Sequence, residues 1–271
     1  VLTAYALQQA GLSVVVLEAD RIAGGQTQNT TAKITSQHGL IYSRLIQSFG
    51  EETARRYAKA NQDAVRAYQD LIDVQGISCD WEERCAYLYG PDVTVLQEEA
   101  EAARRLGLPA SFTREVSIPI PHDGAVCFEG QAQFHPLKFL KVLADQLTIY
   151  EQSRVLTAEG DLLTTELGSV QAEHIVFACH FPFVNFPGMY FARMHQERSY
   201  VLALQGAPPV DGMFLGVGRD TFSLRTYGEL LLLGGGGHRT GENTEGGRYD
   251  LLRRKAREWF PQSQETAHWS A

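Results

Sequence analysis

Apolar positions recur along the chain in two rhythms, and the alternation between them predicts the elements. Val1, Leu2, Ala4, Tyr5 and Leu7 lie at helical offsets before Gly11, which stands where a C′ glycine belongs, so residues 1–10 are expected to be a short helix. Ser13 to Glu18 then reads as a buried strand of the parallel type. Over 40–108 the rhythm is mostly helical, with Leu45, Ile46, Phe49, Ala54, Tyr57, Ala58, Val65, Tyr68, Leu71 and Ile72 at three- and four-residue steps. Ser78 to Tyr89 and Pro109 to Phe128 look strand-like, Pro119 and Pro121 marking an edge or turn. Pro136 suits the first position of another helix, whose apolar face runs over 137–147. From Thr148 the period becomes two, through Ile149, Val155, Leu162, Leu163 and Val170 to Ile175–Ala178. A small antiparallel layer returning to a central parallel strand at 175–178 is expected there. Tyr200–Leu204, Met213–Val217, Phe222–Thr226 and Glu229–Leu233 predict a meander, and Tyr249–Phe260 a final helix stopped by Pro261.

The composition narrows the class. The 271 residues are 44% hydrophobic and 21% charged, enough to bury a core in one large or two small domains and unlike a disordered or collagenous chain. A net charge of −8, with no basic run longer than Arg253-Arg254-Lys255, argues against nucleic acid as a partner. Apolar runs such as Val14–Leu17 and Leu230–Leu233 fall well short of the roughly 18 residues of a spanning helix, so a soluble protein is expected. Cys79, Cys85, Cys127 and Cys179 are scattered, with no CxxC pair, and predict reduced thiols in a cytoplasmic protein without a metal site. The first residues, which open on Val1, show no signal-peptide pattern.

In a dinucleotide-binding βαβ unit an acidic residue closes the second strand and accepts hydrogen bonds from ribose hydroxyls. Glu18 occupies that position, although Gly11 to Glu18 also fits any helix-to-strand connection in an α/β protein. The acid follows a glycine fingerprint by about 20 residues, which places the expected fingerprint and first strand just before Val1. After Glu18 come Gly24-Gly25 and then Thr30-Thr31-Ala32-Lys33-Ile34-Thr35-Ser36-Gln37-His38-Gly39, small and hydroxyl-bearing residues that let donors converge on phosphate. On these residues the chain resembles the FAD-dependent oxidoreductases of the D-amino-acid oxidase, glycine oxidase and sarcosine oxidase superfamily. Gln131–Lys138, Ile175–Pro182, Gln196–Tyr200 and Leu231–Gly241 resemble, in the same order, its bacterial branch that often carries a C-terminal Rieske iron–sulfur domain. The resemblance covers nearly the whole chain. The glycine fingerprint, the C-terminal strand and helix that meet the flavin ring, and a Rieske ligand pattern are not among these residues, so a piece of a longer protein, cut at both ends, is expected.

The resemblance implies an α/β fold, a Rossmann-like FAD-binding domain with an inserted α+β substrate domain built on an antiparallel sheet. It assigns 1–40, 131–190 and 239–271 to the FAD-binding domain and 41–130 and 191–238 to the substrate domain. FAD is the implied cofactor. Glu18 would bind the adenosine ribose, and Gly24, Gly25, Thr30, Thr31, Ala32 and Lys33 would pass the pyrophosphate toward the ring, the alternative being a solvent loop. Val155 matches the backbone position at the adenine edge, and Ala178 with Cys179 the strand end near the adenosine phosphate; all three also suit a core. Gln37 and His38 fall where the chain passes the isoalloxazine. His38 there would hydrogen-bond the ring or carry a covalent link, its plain alternative being a histidine satisfied at a helix start or in the core.

Arg225, in Ser223-Leu-Arg-Thr-Tyr227, sits on an expected strand among apolar neighbours, where its guanidinium fork suits a substrate carboxylate or neutralises a structural acid such as Glu229. Tyr227 and Tyr200 are further pocket candidates, and Arg225, His38 and Tyr227 form the candidate catalytic set. Gly234–Gly237 reads as a strand end whose backbone closely approaches the flavin or another chain, because the loop-like 238–247 starts no helix for a second nucleotide. Phe181–Phe191 reads as a buried interdomain crossover, or else a membrane-facing patch. The expected activity is oxidation of an amine or amino acid by hydride transfer from the substrate carbon to the flavin, with an unnamed electron acceptor. Two rivals remain: a nicotinamide-dependent flavoprotein reductase, which needs a second glycine fingerprint that the chain lacks, and a non-catalytic scaffold that has lost FAD.

Overall fold

The structure is a computed structural model that describes residues 1–218, 221–241 and 247–271. Its first elements are α1 (Leu2–Gln9), β1 (Val15–Leu17), α2 (Gln26–Asn29), β2 (Lys33–Ile34), α3 (Tyr42–Phe49), α4 (Glu51–Gln75), β3 (Glu82–Gly90) and α5 (Val93–Arg105). There follow β4 (Ala110–Thr113), β5 (Gly124–Gln133), α6 (Pro136–Ala144), β6 (Thr148–Tyr150), β7 (Val155–Glu159), β8 (Leu162–Thr165) and β9 (Ser169–Gln171). The last are α7 (Tyr190–Arg193), β10 (Glu197–Gln205), β11 (Met213–Gly216), β12 (Phe222–Tyr227), β13 (Leu230–Arg239), α8 (Tyr249–Trp259) and β14 (Gln264–Ser270).

The chain divides into two compact units, the first made of Val1–Thr30, Ile77–Cys79 and His135–Gln196. In it β1 and β6 pair in parallel, Val15 opposite Thr148 and Leu17 opposite Tyr150. Gly11, at φ +88°, ends α1 as the hydrophobic pattern predicts, its N–H and that of Leu12 bonding the carbonyls of Gln8 and Leu7. Pro136 opens α6 after His135, whose Nδ1 accepts the Lys138 N–H, and α6 buries Phe139 and Leu143. Strands β7, β8 and β9 form an antiparallel layer of their own.

The expected central strand at 175–178 is absent from this unit, where Val176 and Phe177 are 61% and 46% exposed. A central parallel strand needs a hydrogen-bonding edge on each side. The parallel sheet here has two strands, β1 and β6, and neither pairs with that segment. The crossover expected to be buried is likewise open, with Phe183, Phe186 and Phe191 exposed. Among the described residues no helix is long and apolar enough to cross a membrane.

The second unit comprises Thr31–Gly76, Asp80–Phe134 and Glu197–Ala271. Its sheet runs in the order β14, β10, β13, β12, β11, β3, β5, β2, with β4 beside β5. Neighbouring residues along each strand face opposite sides, and each side has its own core. Ala86, Leu88, Val126, Phe128 and Met213 pack with Tyr42, Ala54, Ala58, Leu96, Ala100 and Ala103 of α3, α4 and α5. Phe214, Leu224, Leu231 and Leu233 pack on the other side with Leu252 and Ala256 of α8. Gly50, at φ +79°, divides α3 from α4, and Gly76 closes α4 in the left-handed conformation.

The meander is present as β11, β12 and β13, with β10 on the far side of β13. Strand β14 was not expected. It pairs along β10, Val201 opposite Trp269, so the C-terminal segment assigned to the FAD-binding domain packs into this second unit. The reason is backbone satisfaction: β14 pairs the edge that β10 would otherwise leave open. The glycine run of β13 also finds its cause, since a Cβ at Gly234 would lie 2.5 Å from Ser223 Oγ and one at Gly235 2.6 Å from Phe222 Cδ1. The close approach is to β12. The expected loop at 242–246 lies outside the described residues.

Candidate active site

The sheet face that carries α3, α4 and α5 continues past them into polar side chains. Arg225 on β12 alternates with Leu224 and stands opposite Leu232, so it shares the face of Leu232 and Met213. It is 5% exposed, and its Nε and Nη1 have no hydrogen-bond partner among the described residues. The Tyr227 ring lies 5.6 Å from the guanidinium carbon, and the Tyr227 hydroxyl donates to Asp80 Oδ2 at 2.9 Å. Burial lowers the Arg225 pKa to about 10 against the opposing pull of Glu82. Glu82, rather than the expected Glu229, is therefore the acid whose charge it feels, and the two form no ion pair.

Three further side chains join this face through long-range strand pairing. Lys33 on β2 stands opposite Gln133 on β5, and Gln133 stands opposite Glu82 on β3. Lys33 Nζ donates to the Phe214 carbonyl at 3.2 Å. Burial pulls its pKa down to about 7, with the Arg225 charge adding to the fall. Gln133 is 3% exposed; its Nε2 donates to Glu82 Oε2 at 2.9 Å and to the Thr226 carbonyl at 2.8 Å, while its Oε1 is buried and unpartnered. Gln133 and Glu82 were not among the expected site residues, because nothing in a lone glutamine signals burial, or in a half-exposed glutamate signals this partner, before the strands are paired.

The segment 31–38 is held against β5. Ala32 is buried at φ +50°, and the Ser36 N–H donates to Gln131 Oε1 at 2.6 Å. Gln37 is buried with its Nε2 unpartnered. His38 is exposed, its Nε2 3.0 Å from Asn61 Oδ1 on α4, and it takes no part in the Arg225 cluster. Thr31 is half-buried beside them.

In the first unit Glu18 ends β1 as expected. Its N–H bonds the Tyr150 carbonyl, and its Oε1 accepts the Asp20 N–H at 2.9 Å. The turn that follows passes through Ala23 at φ +60° and Gly24, where a Cβ would meet the Arg21 carbonyl oxygen at 3.1 Å. Gly25 caps α2, and Thr30 is exposed and extended just beyond it. Val155 opens β7 opposite Thr165. Ala178 and Cys179 are exposed and lie in no strand, so the strand-end geometry expected of them is not formed, for the reason given for 175–178. Among the described residues no group of His, Cys, Asp and Glu is placed to hold a metal ion.

In the first unit the residues present suit an adenine dinucleotide: a strand-end carboxylate offers an acceptor to hydroxyls, and a tight turn admits close backbone approach. In the second unit Gln37 presents a buried donor without a partner.

Comparison with known proteins agrees. Residues 1–271 match the family described as FAD dependent oxidoreductase. The chain is 36% identical over 274 residues to YhfW of Bacillus subtilis (strain 168), named as a Rieske 2Fe-2S iron-sulfur protein, covering 94% of this chain and 53% of that one. It is 24% identical over 192 residues to gamma-glutamylputrescine oxidoreductase of Escherichia coli (strain K12), covering 65% of this chain and 45% of that one. The chain thus spans about half the length of the curated relatives it matches. Its fold is that of glycine oxidase from Geobacillus kaustophilus, with a TM-score of 0.71 at 17% identity over 99% of this chain and 78% of that one. The L-proline dehydrogenase from P. horikoshii gives 0.74 at 14% identity over 99% and 76%.

Proposed function

Because the chain belongs to the FAD-dependent oxidoreductase family, we propose that it oxidises an amino acid whose carboxylate is held by Arg225. The observation that carries this reading is a buried guanidinium with two unpartnered nitrogens on a sheet face. An unpaired buried cation is expensive, and a carboxylate, which accepts from one edge of the guanidinium (Nε with Nη2, or Nη1 with Nη2), is the ligand that offsets its charge. Oxidoreductases and oxidases of amines and amino acids among the relatives and structural neighbours point the same way.

Bound FAD supplies the two-electron oxidant, and the protein's part is to hold and orient. Glu18 is the group proposed for the ribose hydroxyls, and Gln37 Nε2 for an oxygen of the flavin ring. Gly24, Gly25, Thr30, Thr31 and Ala32 are proposed for the pyrophosphate stretch. Arg225 takes the carboxylate, and Tyr227, fixed by its bond to Asp80, restricts the swing of the guanidinium. Val201, Ala203 and Leu232 pack as an apolar patch on the same face and help keep water from it. Lys33, whose pKa burial and the Arg225 charge pull down to about 7, carries a reduced positive charge at neutral pH.

The four free cysteines favour a reducing, cytoplasmic setting, and the name of the B. subtilis relative favours a Rieske domain on the same polypeptide as electron acceptor. The test is the visible spectrum of the full-length protein under anaerobic conditions, with flavin bands expected near roughly 370 and 450 nm. Amino acids should bleach them and the corresponding decarboxylated amines should not. Bleaching by both alike removes Arg225 from the reading, and a protein that neither retains nor rebinds FAD removes the oxidase reading itself.

A further inference from the structure

The Arg225 cluster contains a second orphan of opposite character. Gln133 spends both hydrogens of its amide nitrogen, one on the Glu82 carboxylate and one on the Thr226 carbonyl. Those two acceptors fix the amide orientation, because a flipped amide would set its oxygen against both of them. Oε1 is therefore an acceptor by necessity, and it is buried without a donor. It is tied to Arg225 by structure: Thr226 is the next residue on β12, and Glu82, bonded to Gln133, is the carboxylate whose charge acts on the guanidinium.

A cluster holding unpartnered donors on Arg225 and an unpartnered acceptor on Gln133 is complementary to a molecule that carries a carboxylate and an N–H together. We propose that Gln133 Oε1 accepts a hydrogen bond from the amino group of the bound amino acid and so restricts the site to amino acids that retain at least one N–H. The inference rests on the amino-acid reading above and deepens it, making Gln133 a specificity-determining residue. A ligand whose nitrogen is fully alkylated satisfies Arg225 but leaves the Gln133 oxygen dry, which is the more costly half of a lost hydrogen bond.

The test uses the full-length, FAD-loaded protein in its reduced state, which binds amino acids without turning them over. Dissociation constants are measured by calorimetry for three matched pairs: glycine and N,N,N-trimethylglycine, alanine and N,N,N-trimethylalanine, proline and N,N-dimethylproline. Each second member keeps the carboxylate and the positive charge and has no N–H. The parent of at least one pair should bind about tenfold tighter than its alkylated form, the size of one buried hydrogen bond. Gln133→Met and Gln133→Leu, which both remove the acceptor oxygen, should each reduce that ratio toward one.

Equal binding within every pair by the unmutated protein overturns the proposal, as does a preference that survives Gln133→Met, which would be steric. Should Gln133→Met fail to fold, a preference that survives Gln133→Leu overturns it instead. A Gln133→Met protein that loses FAD while keeping its ligand preference assigns the oxygen to the cofactor, which also overturns it. If no carboxylate ligand of the set or of a wider amino-acid panel binds at all, the oxidase reading itself has failed, an outcome distinct from these.

Discussion

Two buried charged side chains, one on a helix and one on a strand of the second unit, have opposite fates. Glu99, on α5, is 1% exposed and spends its carboxylate on α3, accepting the N–H groups of Ile41, Tyr42 and Ser43 at 2.8, 2.7 and 3.0 Å. Those are donors that a helix start leaves without intrahelical partners, so the charge is desolvated and repaid by the fold alone. Arg225 is buried nearly as deeply and has been given nothing comparable. The fold uses one buried charge to build itself and leaves the other without a hydrogen-bond partner at two nitrogens among the described residues, which is what the proposed carboxylate would supply. Burial alone says little about function, and the accounting of partners separates the two cases.

Four substitutions break or sharpen that contrast, in falling order of expected effect. Glu99→Ala orphans three backbone donors and should lower the unfolding free energy by about 3 kcal/mol in urea titrations. Its effect on amino-acid binding should be small by comparison. Arg225→Met should do the reverse, weakening amino-acid binding about a hundredfold by calorimetry while leaving urea stability unchanged or raised, since an unpaired buried charge is removed.

Lys33 gives the contrast a pH signature. Its folded pKa of about 7 lies below the usual 10.5, so between those values the unfolded chain holds the proton that the folded one has released. Stability should therefore climb as pH rises through that window and be flat for this group below it, and Lys33→Met should remove the climb in melts taken from pH about 7 to 10. The smallest effect is at a surface cap. Asp92 accepts the Val95 N–H at 3.1 Å to start α5, and Asp92→Ala should cost about 1 kcal/mol without altering binding.

The parts of this architecture that are legible in the sequence are those whose signal is local. Ala54, Ala58, Val65 and Ile72 stripe one face of α4, and Pro136 and Gly11 mark their helix ends, so period and punctuation suffice. The apolar run at 175–178 is equally local and misleads, because a strand also needs a neighbour and period is silent on that. Strand β14, nearly all exposed along Gln264–Ser270, carries no buried stripe, so nothing marks it as a strand before β10 is in place.

Arg225 and Lys33 stand out by residue type, as a guanidinium in an apolar strand and an amine beside small hydroxyl residues. Their significance does not. Gln133 reaches Glu82 across 51 positions and Thr226 across 93, and Glu99 reaches α3 across 56 to 58. Polar side chains in polar sequence become buried only when distant strands and helices close over them. Glu18 lies between these extremes, placed correctly at a strand end by spacing, with its partner strand β6 supplied from more than a hundred residues away.

The central claim is that Arg225 is kept unpaired for a carboxylate, and the most direct measurement compares alanine with alaninamide. Both are titrated into the reduced full-length protein, unmutated and as Arg225→Met, with urea stability measured on each. The account predicts that alanine binds at least about tenfold tighter than its amide, that Arg225→Met abolishes the difference, and that stability does not fall. Equal binding of acid and amide, together with a loss of about 3 kcal/mol in stability on removing the guanidinium, would contradict it and make Arg225 a structural charge like Glu99.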